Sequence, residues 1–263
     1  MRLSKLLLMT SSFLLIHPVQ GQQLSTGNSP ASATKDSQAV SIVTQALNTS
    51  GGNIAIGSIS DFTASGNVTY YSGPNPGAQG TVTIKGRGLA QFRIDSKVSA
   101  GTRSESTNVV STVQYEDGVP HTLSTQPPAD PARFLLPTLQ LKAALTNPSL
   151  NLLYRGEVNV DGRMVYDVQV QRTQAANLDP NSLIGKYLTF DYFIDASTSA
   201  VVMMQDTIPK GWSRQIRYSD FKAEAGILVP YSISETIQGQ MIRVIQLNQI
   251  GFNSGLQDTD FQL

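Results

Sequence analysis

The chain has no cysteine and only two histidines, and those absences remove whole classes of chemistry. Without thiols there is no disulfide, no Cys-ligated metal and no thiolate nucleophile, so the fold must rest on core packing alone. His17 falls in a leading apolar segment, which leaves His121 as the one imidazole of the mature chain. Ser-His-Asp catalysis, paired-His zinc sites and Cys-His pairs are therefore starved of parts. His121 follows Pro120 in a polar stretch and is read as a solvated loop residue.

Charge of one sign is lacking as well. With 19 basic against 19 acidic residues and no Lys/Arg-rich run, neither nucleic acid nor an anionic membrane surface is an expected electrostatic partner. Nucleotide motifs are incomplete. Gly185-Lys186 follows Pro180 and precedes Tyr187, so the first glycine and the hydroxyl of a P-loop are missing, and Gly86-Arg-Gly88 lacks a third glycine. Asp191 and Asp195 would stand roughly 13 Å apart on one strand, against the about 5 to 9.5 Å of a glycosidase pair. They read as solvated hairpin carboxylates, and Asp258 and Asp260 as capping or solvated groups rather than a Ca²⁺ site. No catalytic residue, metal or cofactor is expected.

A long hydrophobic run is also missing. Leu6 to Ile16 spans about 11 residues, roughly half of what a membrane-crossing helix needs. With Arg2 and Lys5 before it and Val19-Gln-Gly21 after it, residues 1–21 read as a cleaved secretory signal. No cysteine follows, so a lipid anchor is excluded and the product is expected to be soluble and exported, periplasmic or secreted. Residues 22–35 are small and polar and read as a disordered tether ahead of one domain, 36–263.

What is present is alternation. Asp36 is a plausible N-cap for a helix with Ala39, Val40, Val43, Ala46 and Leu47 on one face, ended by Gly51-Gly52. Strands follow: Phe62, Ala64, Val68 and Tyr70 share one parity. So do Val82 and Ile84; Ala90, Phe92 and Ile94; Val109, Val113 and Tyr115; and Leu188, Phe190, Tyr192 and Ile194. Gly-, Pro- and Asn-rich stretches such as Ser72 to Gly80 separate these runs as turns. Asp161-Gly162 between two alternating runs signals a type I′ hairpin. Ile227, Val229, Tyr231, Ile233 and Ile237 alternate with small or polar residues. In the last strand the phase slips between Ile242/Val244 and Ile245/Leu247, which predicts a β-bulge.

Residues 126–153 differ. Asp130-Pro131 reads as an N-cap with Pro at the first helical position, and Pro137 predicts two short pieces rather than one helix. Phe134, Leu135, Leu136, Leu139, Leu141 and Leu145 leave little polar face, so the segment must be covered by, or must cover, something apolar. The expected fold is α+β. About ten or eleven antiparallel strands form a strongly curved, unclosed barrel around the N-terminal helix, with 126–153 as a helical lid. The inner wall of such a sheet is expected to be only partly filled by the protein's own side chains, giving a container or a platform. Apolar cargo would gain about 0.8 kcal/mol per buried methylene without a charged anchor.

The order of these features resembles the LolA-like periplasmic lipoprotein carriers and related outer-membrane lipoprotein-sorting proteins. The likeness is carried by the helix Asp36 to Asn48, the strand Phe62 to Tyr71, the hairpin Gly80 to Asp95 with Phe92-Arg93, and Tyr192-Phe-Ile-Asp195. Tyr218-Ser-Asp-Phe221, Gly226-Ile-Leu-Val-Pro-Tyr231, Asn248 and Asp260-Phe261 complete it. The resemblance implies a non-enzymatic carrier of a lipid or a lipidated protein, with an envelope receptor protein as a further partner. Its implied cavity and lid residues are Phe92, Ile94, Phe134, Leu135, Leu139, Phe190, Tyr192 and Ile194. It also implies a basic residue that locks the lid, Arg87 or Arg93, between which spacing does not choose. The second reading is an envelope interaction or sensing module of the same fold, working through its surface.

Overall fold

The alternation that runs through the sequence becomes one antiparallel sheet, seen in a computed structural model. It describes residues 33–107, 112–116, 119–124, 134–174, 178, 182–208 and 211–263. The expected signal, most of the tether and the first lid piece at Asp130-Pro131 lie outside these residues.

The chain enters through α1 (Ser37–Thr49) and α2 (Gly52–Gly57). A first meander follows: β1 (Asp61–Ser72), β2 (Asn75–Arg87), β3 (Gln91–Val98), β4 (Gly101–Thr107), β5 (Thr112–Glu116) and β6 (Val119–Ser124). After α3 (Pro137–Thr146) a second one runs through β7 (Leu150–Val160), β8 (Arg163–Arg172), α4 (Leu183–Tyr187), β9 (Thr189–Asp195) and β10 (Val201–Ile208). It ends with β11 (Trp212–Glu224), β12 (Ile227–Ile237), β13 (Gln240–Phe252) and a 3-10 turn, Asp258–Phe261. The sheet order is β6-β5-β4-β3-β2-β1-β13-β12-β11-β10-β9-β8-β7. The two meanders thus meet at β1 and β13, and β6 and β7 are the outermost strands. In the chain α3 stands between β6 and β7, the strands at the two ends of the sheet, and it packs against α1, α2, β7 and β10. The position of α3 as a cover follows from this packing.

The sheet is bent enough for distant strands to face each other. Arg243 on β13 and Glu105 on β4 lie four strand positions apart, roughly 19 Å on a flat sheet at about 4.8 Å per strand. Their charged groups stand 3.9 Å apart. One cause of the bend is a bulge in the last strand: Glu235 pairs with Arg243 but Thr236 with Met241, which leaves Ile242 as the extra residue. The hairpin at Asp161-Gly162 forms as expected, with φ of 52° and 81°.

The sheet has thirteen strands, more than alternation alone revealed. β4 was missed because Thr102 to Thr107 contains no apolar residue to mark a face. Two boundaries also differ from expectation. β7 starts at Leu150, inside the stretch read as lid, and β2 starts at Asn75, inside the stretch read as a turn. Pro137 stands in the first turn of α3, where its missing N–H costs nothing. Asp36 caps α1 by accepting from the backbone N–H groups of Gln38 (2.8 Å) and Ala39 (3.2 Å). The buried face of α1 is Ala39, Ile42, Val43, Ala46 and Leu47, with Val40 at its margin. Thr34 to Asp36, the end of the expected tether and the helix cap, are pinned to the β7 edge at Leu152. Among the described residues, no helix is long and apolar enough to cross a membrane.

Candidate functional site

The concave wall has two parts. In the first, Phe92 and Ile94 of β3, Phe190, Tyr192 and Ile194 of β9, Met204 of β10 and Ile216 of β11 are all buried in one apolar cluster. The same cluster takes in α1 and the cover, through Phe134, Leu135, Leu136, Leu141 and Ala144, with Leu139 partly buried against it. The eight residues expected to line a cavity therefore lie together, and the cover itself supplies much of what fills the space between them. Phe134 packs on Phe92 at 5.6 Å between ring centroids.

Polar groups clip the cover at both ends. At its start the Arg243 guanidinium lies over the Phe134 ring, 4.7 Å from the centroid. At its end the Lys35 ammonium donates to the carbonyls of Ala144, Asn147 and Leu150, a cation placed at a helix C-terminus. Between the clips sits an anomaly. Gln140 is 0% exposed, and neither of its amide atoms has a partner. A buried amide left unsatisfied costs about 1–3 kcal/mol.

The second part of the wall is charged. Asp206 on β10, Arg214 on β11, Glu235 on β12, Arg243 on β13 and Glu105 and Arg103 on β4 share the inward parity of the apolar residues. Arg214 donates from Nε (2.9 Å) and Nη2 (2.6 Å) to the two oxygens of Asp206. Glu235 lies between the arginines, 3.6 Å from Arg214 Nη1 and 2.6 Å from Arg243 Nε, the latter an ion pair without hydrogen-bond alignment. Burial alone would push both guanidiniums down. The facing carboxylates, Asp206 for Arg214 and Glu235 for Arg243, more than reverse it and hold both above the usual arginine range. Arg103 stacks on the Tyr70 ring at 4.6 Å, and Tyr70 hydrogen bonds Ser96 at 2.9 Å. Of these side chains, Tyr70, Arg103, Glu105, Arg214, Glu235 and Arg243 line an open hollow of about 250 Å³ whose wall also includes Ile94.

Other sequence-predicted groups are placed elsewhere. Arg87 and Arg93 alternate with Gly86, Phe92 and Ile94 and so face the convex side, where neither pairs with a described residue of the cover. Arg87 donates to Asp258 and to the Leu256 carbonyl (2.9 Å). Arg93 pairs with Asp95 (2.8 Å) and donates to the Gln262 carbonyl. With Lys85–Asp260 at 2.7 Å they strap the 3-10 turn to the sheet over buried Phe261. The lock that sequence sought there is matched in position by Arg243, 150 residues later in the chain, which no local spacing could connect to the cover. Asp195 is buried, not solvated: it accepts from Ser197 N–H (2.9 Å), Ser197 hydroxyl (2.6 Å) and Thr198 N–H (2.8 Å), closing its own turn. Asp191 accepts from Gln169 at 2.8 Å. His121 stands in β6.

No family model matches the chain, and no curated protein is similar to it. Solved structures do share its fold. A LolA superfamily protein from Nitrosomonas europaea is 12% identical, with a TM-score of 0.53 over 86% of this chain and 97% of that one. A DUF1329 family protein from Desulfovibrio piger is 12% identical, TM-score 0.51, over 84% and 96%. A candidate outer membrane lipoprotein-sorting protein domain from Vibrio parahaemolyticus is 9% identical, TM-score 0.50, over 84% and 95%. The chain shares with these three structures the fold of an unclosed antiparallel half-barrel.

Proposed function

We propose that the protein is an exported, non-enzymatic carrier. It shields the apolar part of a lipid, or the acyl chains of a lipidated protein, against the apolar part of its concave wall, in the space the cover now fills. The observation that carries this reading is Gln140. A helix docked for good has no reason to bury an unpartnered amide, whereas a cover that lifts leaves that cost behind and finds water or a ligand carbonyl. The energies are matched. Displacing Phe134, Leu135, Leu136 and Leu141 from the core forfeits on the order of 1.5–3 kcal/mol each. A chain of about 14 methylenes returns roughly 11 kcal/mol at about 0.8 each. An exchange so close to balance is reversible, as a carrier that must release its cargo requires. The names of two proteins that share the fold point the same way.

The test is organic extraction of purified protein followed by mass spectrometry, with titration of a pyrene-labelled fatty acid into the delipidated chain. The reading expects a co-purifying lipid near one per chain, and probe uptake that is faster in Phe134→Ala, which loses the Arg243 clip. Absence of lipid, with no probe binding by either wild type or Phe134→Ala, would mean a permanently filled core and move the function to the outer surface.

A further inference from the structure

Resting on the carrier reading, we propose that the charged hollow is a headgroup subsite. It takes the zwitterionic phosphodiester head of an amphiphile whose chains occupy the apolar part of the wall. The phosphate lies toward Arg103 and Arg243, and the amine toward Glu105.

Three observations lead there. The two parts of the wall are continuous: Ile94 belongs to the apolar core and also lines the hollow, and Phe134 touches Phe92 on one side and Arg243 on the other. A molecule lying beneath the cover would reach the charged groups where Phe134 now sits. The hollow's volume, about 250 Å³, falls below the about 300–1,000 Å³ of sites for drug-sized ligands and suits a polar head rather than a chain. Its wall carries both signs, with Arg103, Arg214 and Arg243 against Glu105 and Glu235. Arg214 is held bidentately by Asp206 and is the fixed part, whereas Glu105 meets Arg243 at 3.9 Å, the limit of an ion pair. A zwitterion entering at that long contact sets its phosphate beside Arg243 and its amine beside Glu105, while the 2.6 Å Glu235–Arg243 pair stays in place. A purely anionic head would face two carboxylates, and a neutral one would desolvate charges without return.

The probe-loaded full chain tests this by displacement with three monoacyl competitors of equal chain length, used below their micellar concentrations. These are lysophosphatidylethanolamine, lysophosphatidylglycerol and monoacylglycerol. Lysophosphatidylethanolamine is expected to displace the probe at concentrations about tenfold below either of the others. Arg103→Gln and Glu105→Gln, two separate variants on the half-buried β4, should each bring lysophosphatidylethanolamine to the potency that monoacylglycerol shows on the same variant. Equal potency of all three on wild type overturns the subsite and leaves the carrier standing. Preference for lysophosphatidylglycerol overturns the zwitterionic assignment. Failure of every competitor, with no probe bound at the outset, overturns the carrier and the subsite together.

Discussion

The two parts of the concave wall stand on one sheet and face the same way, yet they are held by opposite means. Beneath the cover, burial of Phe92, Phe190, Tyr192 and Ile194 is its own reward, non-directional and tolerant of exchange for another apolar surface. Around Arg214, Glu235 and Arg243 every group depends on a named partner, and removing one leaves an uncompensated charge. On the carrier reading the first part gives up its neighbour and takes a guest, and the second, which cannot relax in that way, fixes position and reads charge. One wall thus combines a forgiving surface with an exacting one.

Variants that break the contrast should rank accordingly. Glu235→Ala takes the nearest carboxylate from buried Arg243 and the second one from Arg214, and is expected to lower stability by about 3–5 kcal/mol in urea denaturation. A Glu235→Leu and Arg243→Met pair should recover much of this, because an apolar replacement removes both charges together. Ile194→Ala, deep in the apolar part, should cost about 2–5 kcal/mol through the cavity it leaves. Gln140→Leu reverses the sign: removing an unsatisfied buried amide should stabilise the closed form by about 1–3 kcal/mol and slow probe uptake.

The smallest effect lies on the opposite face. Burial first, then the nearby Asp191 carboxylate, pushes the Asp167 carboxyl up to about 6. The folded state therefore holds more protons than the unfolded one between about pH 4 and pH 6, and this group's contribution falls as pH rises through that window. Asp167→Asn should flatten that fall in thermal melts and leave lipid binding unchanged.

The apolar part of the wall was legible in the sequence because period-2 alternation is itself the trace of a buried face. Phe92, Ile94, Phe190, Tyr192 and Ile194 were all found that way; the bulge was expected between Val244 and Ile245, where the pairing is regular, and lies at Ile242. The charged part was written in the same alternation and misread. In the series Ile227, Val229, Tyr231, Ile233, Ile237 the skipped position is Glu235, a charge at an inward station. A gap of this kind, repeated at Arg214 before Ile216 and at Arg243 before Ile245, was the available signal. Pairing across the barrel, such as Glu105 with Arg243 or Arg243 with Phe134, left no local trace, because curvature rather than sequence neighbourhood creates it.

The central claim, that the cover lifts while the barrel stays folded, is tested most directly by native-state thiol exchange in this cysteine-free chain. Leu141→Cys beneath the cover and Val165→Cys on the convex face replace residues that are both fully buried. The account expects the thiol at 141 to react through an opening that costs far less than global unfolding and barely depends on urea, with the thiol at 165 reacting only on global unfolding. Equal opening free energies at the two sites, both matching global unfolding, would contradict it.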